Sequence, residues 1–175
     1  GGRASARETA NWVAAGAIAK KILQKEGVSV NGFVSEIGKV KADAINHKDI
    51  NNKYFFCDES KLADLDSMFN DLIEEGNSVG AKLGVIVKNC PVGLGDPVFE
   101  KLDANLAKAI MTINAVKSVS IGNADDLLNL KGSEARDEIT SSGYSSNNSG
   151  GILGGISNGD DISLSFIIKP TSSIK

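Results

Sequence analysis

Apolar residues recur at helical period near the start of the chain. Ala10, Val13, Ala14, Ala17 and Ile18 follow Ser5, and Gly27 closes the run. This spacing predicts a helix from Ser5 to about Glu26, with Ser5 and Glu8 at capping-box separation. Val28, Val30, Gly32 and Val34 then alternate with Ser29, Asn31 and Phe33, which predicts a strand through about Ile37. Residues 38–52 are polar and Lys-rich and specify no element. Leu62, Leu65, Met68, Phe69, Leu72 and Ile73 form a second helical stripe, capped near Asp58 or Ser60 and stopped by Gly76. Leu83 to Val87 is a β-branched run, read as a buried strand that ends before Pro91.

Asp96-Pro97 carries the signature of a helix start, an N-cap followed by proline at the first helical position. Val98, Leu102, Leu106 and Ile110 extend that helix to about Thr112. Ala115, Val116, Val119 and Ile121 predict another strand. Ala124 to Ile139 is acidic and weakly helical, most simply a solvated face. Residues 141–150 are Ser-, Asn- and Gly-rich and read as a mobile loop. Ile162, Leu164, Phe166 and Ile168 alternate as a last strand. Short alternating strands mixed with helices favour antiparallel pairing, so the fold class is α+β. A length of 175 residues suits a single domain, 1–175, with a core sustained without disulfides.

Composition then removes several functions. A net charge of −3 and 5% aromatic residues argue against a nucleic-acid binder. Cys57 and Cys90 lie far apart, and with the lone His47 they form no metal-ligand spacing. Both thiols read as buried or half-buried in a reducing, cytoplasmic setting, and His47 as a solvated loop residue. No signal peptide or membrane-spanning run is present. The first residues, Gly1-Gly2-Arg3-Ala4-Ser5-Ala6-Arg7-Glu8-Thr9, lack an initiator Met and read as a cut end, so the missing signal excludes little.

Four segments carry chemistry. Arg3 to Thr9 puts two arginines beside a helix start, either a phosphate site or a plain capped terminus with solvent-facing cations. Asn114-Ala115-Val116-Lys117 sits at a helix-to-strand junction, where Asn114 offers a donor and an acceptor to a heterocycle or simply makes a turn. The glycine-rich run 150–159 permits close backbone approach to a flat ligand, or forms tight turns alone. It is neither a dinucleotide fingerprint nor a Walker loop. Lys169-Pro170-Thr171-Ser172-Ser173 joins a cation, a stiff turn and three hydroxyls, an anion cradle or a polar strand end.

Taken in order, these blocks resemble the chorismate synthase family. The resemblance rests on residues 2–9 with the Ala-rich helix, on Asn89-Cys90-Pro91-Val92-Gly93-Leu94-Gly95-Asp96-Pro97-Val98-Phe99 with Lys101-Leu102-Asp103-Ala104, and on Ile113-Asn114-Ala115-Val116-Lys117. It continues through Gly150-Gly151-Ile152-Leu153-Gly154-Gly155-Ile156-Ser157-Asn158-Gly159 and ends with Lys169 to Ile174. It covers nearly the whole chain. Ser118 and Cys90 depart from the usual Gly and Val.

The resemblance implies helices layered between antiparallel β-sheets and a homotetrameric enzyme of the cytoplasm. The implied reaction is the 1,4-anti-elimination of phosphate from 5-enolpyruvylshikimate 3-phosphate to give chorismate, the last step of the shikimate pathway towards aromatic amino acids. It requires reduced FMN, and some members reduce that flavin with NADPH. Carried over, Arg3, Ala4 and Ser5 match the first flavin-contacting segment, and Asn114 and Ala115 the second. Gly154 matches a glycine beside the flavin, and Lys169, Pro170, Thr171, Ser172 and Ser173 match the segment near its phosphate and ribityl chain. The family's Gly-Glu-Ser-His-Gly, His-Ala-Asp and Arg-Ser-Asp motifs, which carry its proton-handling residues and substrate-holding arginines, are not among these residues. The expectation is an enzyme whose catalytic residues lie outside residues 1–175. The alternative is an inactive FMN- or phosphate-binding core.

Overall fold

The computed structural model describes residues 2–46, 48–172 and 174, with Arg3 described by its backbone only. His47 and Ser173 lie outside the described residues, as does the Arg3 side chain. The chain runs through helix α1 (Thr9–Lys25), strands β1 (Ser29–Ile37) and β2 (Val40–Lys41), helix α2 (Leu62–Glu75), strand β3 (Ala81–Lys88), helix α3 (Leu102–Met111) and strand β4 (Val116–Ile121). Two one-turn helices follow, α4 (Ala124–Leu127) and α5 (Gly132–Ala135). Hairpins β5 (Ile139–Thr140) with β6 (Gly143–Tyr144), and β7 (Ile152–Leu153) with β8 (Ile156–Ser157), lead to β9 (Ile162–Ile168).

The main sheet has the order β2-β1-β3-β9-β4. Its cross-strand ties run in opposite senses. Gly38 N–H donates to Gly80 O and Ser35 Oγ to Lys82 O, while Lys169 N–H donates to Ala115 O and Gly122 N–H to Ser163 O. A mixed helix and antiparallel-sheet fold results, as the α+β reading anticipates. The chain divides into two compact units. One comprises Gly1–Asn31, Val85–Asn114 and Val119–Ser165; the other comprises Gly32–Gly84, Ala115–Ser118 and Phe166–Lys175.

In the second unit, Ile37, Phe56 and Leu65 are buried together, with Val34, Met68, Phe69 and Val79 packed around them. Helix α2 forms there because its stripe buries Leu65 completely. Asp58 starts the preceding 3-10 turn by accepting from Ser60 N at 3.0 Å and Ser60 Oγ at 2.6 Å. Those bonds, the Ser60 hydroxyl first, hold the Asp58 carboxyl below its ordinary range. Tyr54 stacks on Phe69 with centroids 5.1 Å apart, and its hydroxyl donates to Asp66, which also pairs with Lys53 at 2.5 Å.

In the first unit, Cys90, Ile152 and Ile162 form the buried cluster, flanked by Val87, Leu102, Leu106 and Ile121. Both cysteines are buried and free, and burial raises both thiols above their ordinary value. Helix α1 behaves differently from a core helix. None of its side chains is buried, and Val13, Ile18 and Ile22 are 72%, 66% and 60% exposed. The period of its apolar positions predicts the helix correctly, but its stripe has no buried counterpart among the described residues.

Three readings need correction. The Ser5–Glu8 capping box does not form: residues 2–4 and 6–8 wind as 3-10 turns, and Ser5 makes no side-chain cap. Ser5 N donates to Gly2 O and Glu8 N to Ser5 O, so backbone bonds already occupy these amides, and α1 begins at Thr9. The helix expected from Asp96 begins at Leu102, because Asp96 N–H pairs with Glu100 O and closes a tight loop over 96–100. The weak helix over 124–139 breaks into two single turns, the second ending where Arg136 turns extended. Leu65→Ala is expected to cost about 2–5 kcal/mol in urea unfolding; a loss under about 1 kcal/mol would contradict the core assignment.

Candidate functional site

The glycine-rich run folds back on the Pro91–Leu94 loop through one buried hydroxyl. Ser157 is 1% exposed. Its Oγ donates to Pro91 O at 2.6 Å and accepts from Leu94 N–H at 2.8 Å. Its backbone completes the clamp, since Gly93 N donates to Ser157 O and Ser157 N to Leu94 O. The same loops touch again where Leu102 N–H donates to Gly155 O. Gly95, at φ +113°, lies so close that a Cβ would collide with that carbonyl oxygen, so only glycine fits. The loop residues Val92 and Phe99 remain 72% and 89% exposed.

Within this clamp, Gly154 has φ +61° and open space where a Cβ would stand. Its backbone can therefore be approached by a flat group. Nearby in sequence, Asn158 Oδ1 accepts from Asp160 N–H, while its Nδ2 is buried with no partner among the described residues. That nitrogen is a donor without an acceptor, which is uncommon in a buried side chain.

Asp137 anchors the stretch leading into this run. Its carboxylate accepts from Ser146 Oγ at 2.7 Å, Asn148 N at 2.7 Å and Ser149 N at 2.9 Å. Burial opposes the charge, but these bonds outweigh it and hold the carboxyl below its ordinary value. Tyr144, Asn147, Asp160 and Asp161 help line an open depression of about 410 Å³ beside it.

Residues from the first two segments meet in the same unit. Asn114 Nδ2 donates to Ala4 O at 2.9 Å across 110 residues of chain. The next residue, Ala115, is left-handed at φ +68°. A non-glycine residue there costs on the order of 1–3 kcal/mol and persists only where its surroundings enforce it. In the other unit, the Ala115 carbonyl accepts from Lys169 N–H at 3.0 Å, which sets the second segment beside the fourth. Ser78 Oγ donates to Thr171 O at 2.6 Å and steadies that fourth segment. Lys169, Pro170, Thr171 and Ser172 are exposed. Among the described residues, no ion pair engages Lys169, and no hydrogen bond engages the Thr171 or Ser172 hydroxyl.

Ser157 and Asp137 were not singled out as individual residues by the sequence. Ser157 lies in the quoted 150–159 block, but its inward aim shows only once β8 is paired. Asp137 sits in a run that reads as solvated, and nothing in its spacing announces three distant donors.

An α+β protein built on an antiparallel sheet, with its reactive residue types at strand ends and loops, is the class defined by this arrangement. The chain belongs to the chorismate synthase family, whose family model matches residues 1–175. A solved structure titled "Crystal Structure of Chorismate Synthase" is similar to it at 31% identity and a TM-score of 0.89. The match covers 97% of this chain and 57% of that one, so the chain spans little more than half the length of the solved protein.

Two outcomes test the clamp and its anchor. Ser157→Ala strands Leu94 N–H and Pro91 O and is expected to cost about 2 kcal/mol in urea unfolding; a loss within experimental error would contradict the clamp. Asp137 has a depressed folded value, so its contribution is fully present above the ordinary carboxylate value of about 4 and is lost as pH falls through the folded value. The stability gap between wild type and Asp137→Asn is therefore expected to be full at pH 6 and to close in acid. A gap that stays constant down to pH 2.5 would contradict the anchor.

Proposed function

We propose that this chain supplies the flavin-holding part of a chorismate synthase. The whole protein's reaction is then the 1,4-anti-elimination of phosphate from 5-enolpyruvylshikimate 3-phosphate, giving chorismate. Family membership over residues 1–175 supports the reaction class. The observation that carries the flavin reading is the exposed cation and hydroxyl pair at Lys169, Thr171 and Ser172, which have no side-chain partner among the described residues.

The donor set fits FMN, which combines a dianionic phosphate with a flat ring system. Lys169 would neutralise phosphate charge, and the Thr171 and Ser172 hydroxyls would donate to its oxygens or to the ribityl chain. Pro170 restricts the backbone between them. Gly154 offers unobstructed backbone to the ring, and the buried Asn158 Nδ2 is a spare donor in the same loop. Arg3, Ala4, Ser5, Asn114, Ala115 and Ser173 enter through the family resemblance. Reduced FMN, when bound, supplies electron density that helps phosphate depart without net oxidation.

The whole protein is proposed to act in the cytoplasm as a homotetramer. Among the described residues, no helix is long and apolar enough to cross a membrane.

A second reading applies to residues 1–175 on their own. They contain one histidine, and proton transfer by positioned side chains contributes typically 10²–10⁴-fold to such reactions. The chain alone is therefore expected to bind FMN and form no chorismate. Anaerobic incubation with reduced FMN and substrate tests this, and turnover near the rate of an intact family member would contradict it. For the binding site, Lys169→Ala is expected to weaken FMN affinity roughly tenfold, against under twofold for Lys61→Ala. Lys61 is paired with Asp43 at 2.8 Å and serves as the control. Equal losses would overturn the proposed site.

A further inference from the structure

Among the described residues, the backbone N–H donors of residues 2–8 close local 3-10 bonds, Ser5 N to Gly2 O and Glu8 N to Ser5 O, and the helix they lead into buries none of its side chains. Among the described residues, one hydrogen bond ties this segment to a distant part of the chain: Asn114 Nδ2 to Ala4 O, at 2.9 Å. That side-chain amide therefore links the segment to the residues just after α3. The amide projects from the residue before a left-handed corner at Ala115.

We propose that Asn114 is a positioning residue, which acts by tethering the Ala4 carbonyl and so holds the Arg3-Ala4-Ser5 backbone in place for the flavin. The role differs from direct contact with a heterocycle. One amide proton is committed to Ala4, and this bond sets the orientation of the whole amide plane. The proposal rests on the flavin reading for its purpose, but the tether itself is a property of the ligand-free chain.

The test uses Asn114→Asp and Asn114→Leu, which match the size of Asn114 and remove the donor. In the ligand-free protein, amide exchange at Ser5 and Glu8 is expected to quicken about tenfold in both variants, with β3, α3 and β4 unchanged. Unchanged exchange at Ser5 and Glu8, or a uniform rise across the unit, would overturn the tether. FMN titration of wild type, Asn114→Leu, Ser5→Ala and the double variant supplies the second readout. If Asn114 acts through the segment, the double variant loses less affinity than the product of the single losses. Losses that multiply would overturn the positioning role in favour of independent contacts. A wild-type chain that binds no FMN would defeat the flavin reading alone, because the exchange measurement judges the tether without ligand.

Discussion

The register of β9 is the constraint on which the rest of this structure depends. Ile162, Leu164 and Phe166 point inward at 2%, 4% and 7% exposure, alternating with Ser163, Ser165 and Ile167. Because side chains alternate with period two, a slip of one residue would expose all three and bury the hydroxyls of Ser163 and Ser165. With the register fixed, Ser163 O meets Gly122 N–H near one end of the strand, and Lys169 N–H meets Ala115 O just beyond the other. In the first unit the register of residues 162–165 fixes where the glycine-rich run ends, and in the second unit that of residues 166–168 fixes where the cationic segment begins.

Two polar devices then refine what that register places. Ser157 satisfies two backbone groups of the Pro91–Leu94 loop with one buried hydroxyl, so a loop bearing exposed apolar residues keeps one conformation. Asp137 collects three donors from residues 146–149 despite the cost of burial. Both devices use short polar side chains to close loops that apolar packing cannot reach. Ala115 represents the opposite case, a strained backbone whose carbonyl is held from Lys169. Strain of this kind is retained where neighbouring structure enforces it, and it sits here within a family motif.

Much of this was legible in the sequence. The alternation of β9 and the stripe of α2 were readable because burial imposes period two and period 3.6 on those segments. The Asp96-Pro97 signal misled because a tight loop can use the same residues as a helix start, and Asp96 N–H found Glu100 O first. The capping box failed for a related reason: 3-10 turns close with backbone bonds and leave the Ser5 hydroxyl unemployed as a cap. The Asn114–Ala4 bond spans 110 residues, and no local pattern encodes a partner at that distance. Family resemblance supplied Asn114 and the block around Ser157, while the clamp made by Ser157 and the anchoring by Asp137 required three-dimensional neighbours.

The role proposed for this chain is to carry the flavin-holding residues of a chorismate synthase. Backbone amide NMR of the isotope-labelled chain during FMN titration tests it most directly. The account predicts saturable shifts confined to residues 3–5, 114–115, 154–158 and 169–172. Shifts that instead cluster around Lys53 and Lys61, or that never saturate, would contradict it.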